Sequence, residues 1–238
     1  MKLEQLFAKN YAVYVSHKRL NAIAKDVVQH FFNRGYKGKG MYIAIDKLTA
    51  VKMHDLICKH KEEFIKEKEK EIRGLDDQQE LLVQKRELQW IKETEICVVV
   101  SSEQNEIKKF GEAELDIEPH REKMNTRDLE TEFKDENNKF RFVIVCAMWI
   151  TGFDVPCLST LYIDKPLKSH TLMQAIARAN RISEGKNNGL IVDYIETYKA
   201  LVSALAIYGS DGKEDKKTDD EPLKVFIVTG KQIGRAHV

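Results

Sequence analysis

The sequence predicts an α/β protein, a parallel sheet flanked by helices, with a helical hairpin inserted into it. Three observations lead there. Short apolar runs of strand length recur at residues 41–45, 96–100, 142–146, 161–163 and 189–192. Segments with apolar residues at three-and-four spacing lie between several of them, which is the periodicity of amphipathic helices. Residues 58–95 break the alternation: they are dense in charges of both signs and contain no proline.

Taken in order, residues 11–15 alternate weakly and read as a strand or connector. Residues 18–32 form an amphipathic helix with Leu20, Ile23, Ala24, Val27, Val28 and Phe31 on one face. Asn33, Gly35, Gly38 and Gly40 end it, and a buried strand follows at 41–45. The next helix covers 47–57. Residues 58–95 read as two helices broken near Gly74 to Asp77 and folded back on one another, with Phe64, Ile72, Leu81, Leu82, Leu88 and Ile91 as the seam. After the strand at 96–100, residues 103–126 are acidic and irregular around Pro119. A short helix covers 127–135. Residues 195–208 form a last helix.

Length and composition bound the answer. The chain has 238 residues, enough for one good core and an appendage, with 42% apolar and 32% charged residues. The net charge of +1 excludes no partner. Charge is unevenly spread, however: residues 1–57 hold ten Lys/Arg against four Asp/Glu, and residues 103–139 hold seven against twelve. A basic N-terminal part suits phosphates and equally suits ordinary surface. The four cysteines, Cys58, Cys97, Cys146 and Cys157, have no C-x-x-C spacing. Free thiols in a reducing, cytoplasmic setting are expected. No apolar run approaches the ~18 residues of a membrane span, and no signal peptide is visible.

The most informative stretch is 142–181: an apolar run, a Gly-Phe-Asp turn at Gly152 to Asp154, a second apolar run, and a helical segment carrying Gln174, Arg178 and Arg181. At separations of four and three, those side chains are neighbours on one helix face. Guanidinium is permanently charged, and its planar fork matches phosphate oxygens.

This stretch resembles motifs V and VI of superfamily 2 helicases. TGFDVP is similar to the Gly-x-Asp turn of motif V, and QAIARANR to the Gln-x-x-x-Arg-x-x-Arg core of motif VI. The fuller run from Met148 to Arg181 is most similar to the motor part of the R (restriction and translocation) subunit of type I restriction enzymes. Residues 19–57 resemble the motif IV region of that family. The likeness covers roughly residues 10–208. It departs from many relatives at Ala177, where they carry glycine; a small residue is kept.

The resemblance implies a RecA-like second motor lobe, with residues 1–16 as connector and 17–57 as its first part. Residues 58–95 are then the inserted hairpin, 96–208 the remainder of the lobe and 209–232 a linker. Residues 233–238 back-translate to a common sequencing-adapter sequence and carry no functional expectation. ATP and Mg²⁺ would be held mainly by an upstream lobe. Arg178 and Arg181 would reach the γ-phosphate, Gln174 would couple the nucleotide to closure, and Gly152 and Asp154 would shape a turn near the ribose or beside an arginine. An Asx turn is the competing role for Asp154. Lys47, Ser101 and Thr151 would face DNA. A plain βα connection competes for Lys47, and capping of the next helix for Ser101.

What is missing from the sequence matters equally. It contains no G-x-x-x-x-G-K-[ST] loop, no Asp-Glu box after an apolar strand, no carboxylate-plus-lysine nuclease site and no metal-ligand spacing. Expected partners are double-stranded DNA, the upstream motor lobe and nuclease domain of the same subunit, and methylation and specificity subunits. Two other readings stay open: the corresponding lobe of another superfamily 2 DNA or RNA helicase, and a non-enzymatic α/β interaction domain.

Overall fold

The computed structural model describes residues 11–34, 38–150, 152–167, 169–179, 189–195 and 226–229, with side chains left out at 169, 176–179 and 226–229. Among them, six parallel strands form one sheet in the order β2-β3-β1-β4-β5-β6. The strands are β1 (Lys39–Ile43), β2 (Glu95–Val99), β3 (Phe140–Val145), β4 (Leu158–Ile163), β5 (Leu190–Asp193) and β6 (Phe226–Thr229). Every pair of neighbouring strands is parallel. Such a sheet is buried on both faces, which accounts for near-continuous apolar strands. This is the expected parallel sheet flanked by helices.

Helix α1 (His17–Asn33) buries the six residues assigned to its inner face, Leu20, Ile23, Ala24, Val27, Val28 and Phe31. They join Tyr42, Phe142, Ile144, Tyr162 and Val192 from one face of the sheet. Met41, Ile43, Val143, Val145, Leu161, Ile163 and Ile191 point to the opposite face, where Leu129, Phe133, Leu172 and Ala175 cover them. The alternation follows directly from the two-residue repeat of a strand.

Several details differ from the sequence expectations. Residues 11–14 are helical, not extended. The helix expected at 47–57 does not stop there: α2 runs as one piece from Lys47 to Arg73, 27 residues. Nothing between 57 and 73 breaks a helix, and the first glycine, Gly74, caps it. Asp46 starts it by accepting a hydrogen bond from Thr49 N at 2.7 Å. The turn falls where expected, because Asp77 accepts from the N–H groups of Gln79 and Glu80 to open α3 (Gln78–Glu93).

The hairpin is anchored at its base. The Phe32 and Phe64 rings stack at 5.9 Å, and Phe31 lies 6.0 Å from Trp90. Farther out, Ile72 is buried, but Leu82 and Val83 are 58% and 53% exposed. Leu82 therefore leaves the expected seam: two helices cover only one stripe of each other.

The acidic stretch 103–126, expected to be irregular, holds α4 (Glu106–Glu112) and α5 (Glu118–Thr126). Pro119 sits in the first turn of α5, where its missing N–H costs nothing. Asp128 then caps α6 (Leu129–Lys134) through Thr131 N at 3.1 Å. β6 lies inside the segment expected to be a linker and pairs with β5 along four residues. The expected helix at 195–208 lies outside the described residues from 196 onward.

Candidate nucleotide and nucleic-acid interface

The order of the strands locates a crevice. From β1 the chain moves to β2 on one side, and from β4 it moves to β5 on the other, while β1 and β4 are neighbours. In open α/β sheets, ligands favour the carboxyl edge at such a reversal. The residues at that edge are Asp46 and Lys47 after β1, Ser101 and Ser102 after β2, Cys146 after β3 and Asp164 and Lys165 after β4.

The centre of this edge is a buried polar knot that the sequence did not suggest. Asp164 is 1% exposed. Its Oδ1 takes a 2.5 Å hydrogen bond from Arg19 Nη2, and its Oδ2 takes 3.2 Å from Arg19 Nη1 and 2.5 Å from the Tyr42 hydroxyl. Arg19 also donates to the Tyr14 and Tyr194 carbonyls at 3.0 and 3.2 Å. Burial pushes the Asp164 carboxyl upward, and the Arg19 guanidinium opposes that. One arginine thereby fastens the ends of β4 and β5 to α1. The one local hint was an aspartate directly after the apolar run 161–163; its partners Arg19 and Tyr42 lie far off in the chain.

Two of the expected DNA-facing residues, Lys47 and Ser101, lie on the same edge. Lys47 is half-buried at the start of α2, and its Nζ meets Glu103 Oε2 at 2.9 Å. Lys109 takes the other oxygen of Glu103 at 2.8 Å. Two ammonium groups thus share the Glu103 carboxylate, with the Asp46 carboxylate close by. Ser101 is exposed, and its carbonyl accepts from Arg121 Nη2 at 3.5 Å. It helps to line a cavity of about 480 Å³ with Ser102, Asn125, Asp128, Met148 and Trp149. Thr151 lies outside the described residues.

The loop after β3 is conformationally unusual. Trp149 has φ 64° and Gly152 φ 75°. At Gly152 an added Cβ would meet nothing within 4 Å, so glycine is favoured there by backbone conformation and not by space. A bulky residue at positive φ is costly. Trp149 is held by stacking on Phe153 at 4.2 Å and on Phe133 at 5.8 Å. Phe153 is buried and Asp154 exposed, as alternation along an extended segment dictates.

Helix α7 (Ser169–Ala179) follows β4 and contains Gln174 and Arg178. Gln174 is half-buried, its Nε2 3.4 Å from His170 Nε2. The Arg178 side chain and all of Arg181 lie outside the described residues. Because β4 and β5 are parallel, α7 runs back from the carboxyl edge to the amino edge. Arg178 is near its far end, roughly 14 Å from the helix start at 1.5 Å per residue. Asp154 lies shortly before Cys157, whose carbonyl receives Lys39 N at the amino edge of β1. Among the described residues, Lys47 and Ser101 thus lie at the carboxyl edge, while Asp154 and the far end of α7 lie toward the amino edge.

Residues 47–196 match the family model of type I restriction enzyme subunit R domain 3. The chain belongs to this family. It is 35% identical over 224 residues to the HindI endonuclease subunit of a type I restriction enzyme of Haemophilus influenzae, covering 92% of this chain and 18% of that protein. It is 33% identical over 228 residues to a Methanocaldococcus jannaschii protein assigned as the MjaIXP endonuclease subunit, covering 94% of this chain and 18% of the relative. The domain therefore spans about a fifth of these curated relatives. Among solved structures, an HsdR-subunit fragment from Vibrio vulnificus YJ016 aligns over 91% of this chain and 33% of its own, with 14% identity and a TM-score of 0.49. Among the described residues of this R-subunit domain, no helix is long and apolar enough to cross a membrane.

Proposed function

We propose that this R-subunit domain is the second, RecA-like motor lobe of an ATP-dependent translocase that pumps double-stranded DNA before the subunit cleaves it. The family match carries the reading. Nucleotide bound to an upstream lobe would be met by α7, with Arg178 and Arg181 stabilising charge on the transferring phosphoryl group. Mg²⁺ and the phosphate cradle belong to that upstream lobe, since this chain has no phosphate loop. Gln174 and the Gly152–Asp154 turn would report nucleotide state to the loop beside Trp149. Lys47, Ser101 and Thr151 would track the DNA backbone, with the Lys47 and Lys109 ammonium groups offered to phosphate. The nuclease domain and the methylation and specificity subunits would act around this lobe, and the isolated chain would neither hydrolyse ATP nor cut DNA.

The test is Arg178→Ala and Arg181→Ala in the full-length subunit, read by DNA-stimulated ATP hydrolysis and by triplex displacement as a measure of translocation. Each variant is expected to fold and to lose roughly a thousandfold or more in hydrolysis rate. Undiminished hydrolysis in both would remove the arginine assignment.

A further inference from the structure

Helices α2 and α5 meet at a cluster that neither the motor reading nor the family match explains. His54 and His120 pack edge to face with ring centroids 4.4 Å apart. Ligand atoms of His54, Asp55 and His120 lie within 4.8 Å of one another. His54 Nδ1 is 3.1 Å from Asp55 Oδ1, while its Nε2 is 3.6 Å from the Cys58 sulfur one helical turn on. His120 is 7% exposed, and among the described residues its ring nitrogens have no hydrogen-bond partner.

We propose that His54, Asp55 and His120 form a three-ligand site for a divalent first-row metal ion of the zinc class. Two imidazoles and a carboxylate are a common ligand set for such ions. Metal–ligand bonds of ~2.0–2.2 Å place tetrahedral ligand atoms roughly 3.3–3.6 Å apart. The His54–Asp55 pair already has nearly that separation, and a ligand atom of His120 lies within 4.8 Å of both. Cys58 holds the Nε2 side of His54, so the Nδ1 lone pair is left facing Asp55; fixing the far nitrogen in this way is how outer groups orient a ligating histidine. Asp55 is exposed, which leaves an entry path and room for a water as the fourth ligand. The ion would fasten α5 to α2. The Lys47–Glu103 ion pair already ties the start of the same connection to the same helix.

The experiment uses the 238-residue chain stripped with chelator, then titrated with Zn²⁺ by calorimetry and with Co²⁺ by visible absorption. One equivalent should bind, with intense tetrahedral d–d bands for cobalt. At free zinc 100-fold above Kd, the melting temperature should rise by roughly 5–10 °C. Asp55→Asn, at an exposed position, and His120→Phe, which keeps the ring stack, should each weaken binding tenfold or more while circular dichroism remains native. The proposal is overturned by an unchanged melting temperature in excess zinc. It is equally overturned if both variants bind zinc like the parent, which would assign the ion to other histidines.

Discussion

Asp164→Ala removes the centre of the polar knot between β1, β4 and α1. The carboxylate is buried and accepts from both Arg19 and Tyr42. Truncating one member of a buried, hydrogen-bonded pair costs about 3–5 kcal/mol, because the remaining charge stays uncompensated. Arg19 keeps 21% of its side chain exposed and can recover part of its hydration. Tyr42 is fully buried, and its orphaned hydroxyl adds about 1–3 kcal/mol. The net expectation is about 3–4 kcal/mol. For a domain of this size that lowers the melting temperature by roughly 6–16 °C. Urea unfolding followed by circular dichroism measures it on the isolated chain. Tyr42→Phe should cost less, about 1 kcal/mol, since it removes the donor along with its need for a partner. A loss below ~1 kcal/mol for Asp164→Ala, or a larger loss for Tyr42→Phe than for Asp164→Ala, would refute the idea that the carboxylate is the hub.

Three further outcomes are expected. Gly40→Ala places a Cβ 2.7 Å from Phe142 and 2.9 Å from Phe31 inside the core, so it should destabilise by about 1–3 kcal/mol in the same unfolding assay. Hydrogen bonds from Arg127, then Lys123, hold the Glu95 carboxyl at about 2, well below the ordinary glutamate range near 4.5. A depressed carboxylate contributes stability above the unfolded value that is lost as pH falls from about 4.5 toward 2, so Arg127→Gln should flatten the acid limb of a stability-against-pH curve. The isolated chain should bind duplex DNA weakly, with affinity falling steeply between low and high salt in fluorescence anisotropy; salt-independent binding would argue against a phosphate-tracking edge.

The core was legible in the sequence because apolar periodicity is a local property. All six inward residues of α1 and the strands β1 to β5 follow from spacing alone, with ends displaced by at most three residues. Pro119 misled because proline reads as a breaker, yet it is at home in a helix's first turn. The break assumed after residue 57 had no local signal behind it, and the helix simply continues. β6 was missed because residues 209–222 are polar and the four residues 226–229 are a short run beyond them. The polar knot and the His54–His120 contact join residues far apart in the chain, so no spacing rule reaches them. For the assigned nucleotide and DNA residues, the sequence supplied identities, while the path of α7 between the two sheet edges came only from the topology.

Because α2 continues unbroken for 27 residues, it behaves as a stiff rod roughly 40 Å long. One end is seated at the β1 edge through Asp46 and Lys47, and the other carries the tip of the hairpin. Its inner part is buried against α1 and the sheet as far as Phe64, so the rod moves with the sheet as one body. A shift at the sheet is thereby carried undamped to the tip, where a neighbouring body can feel it.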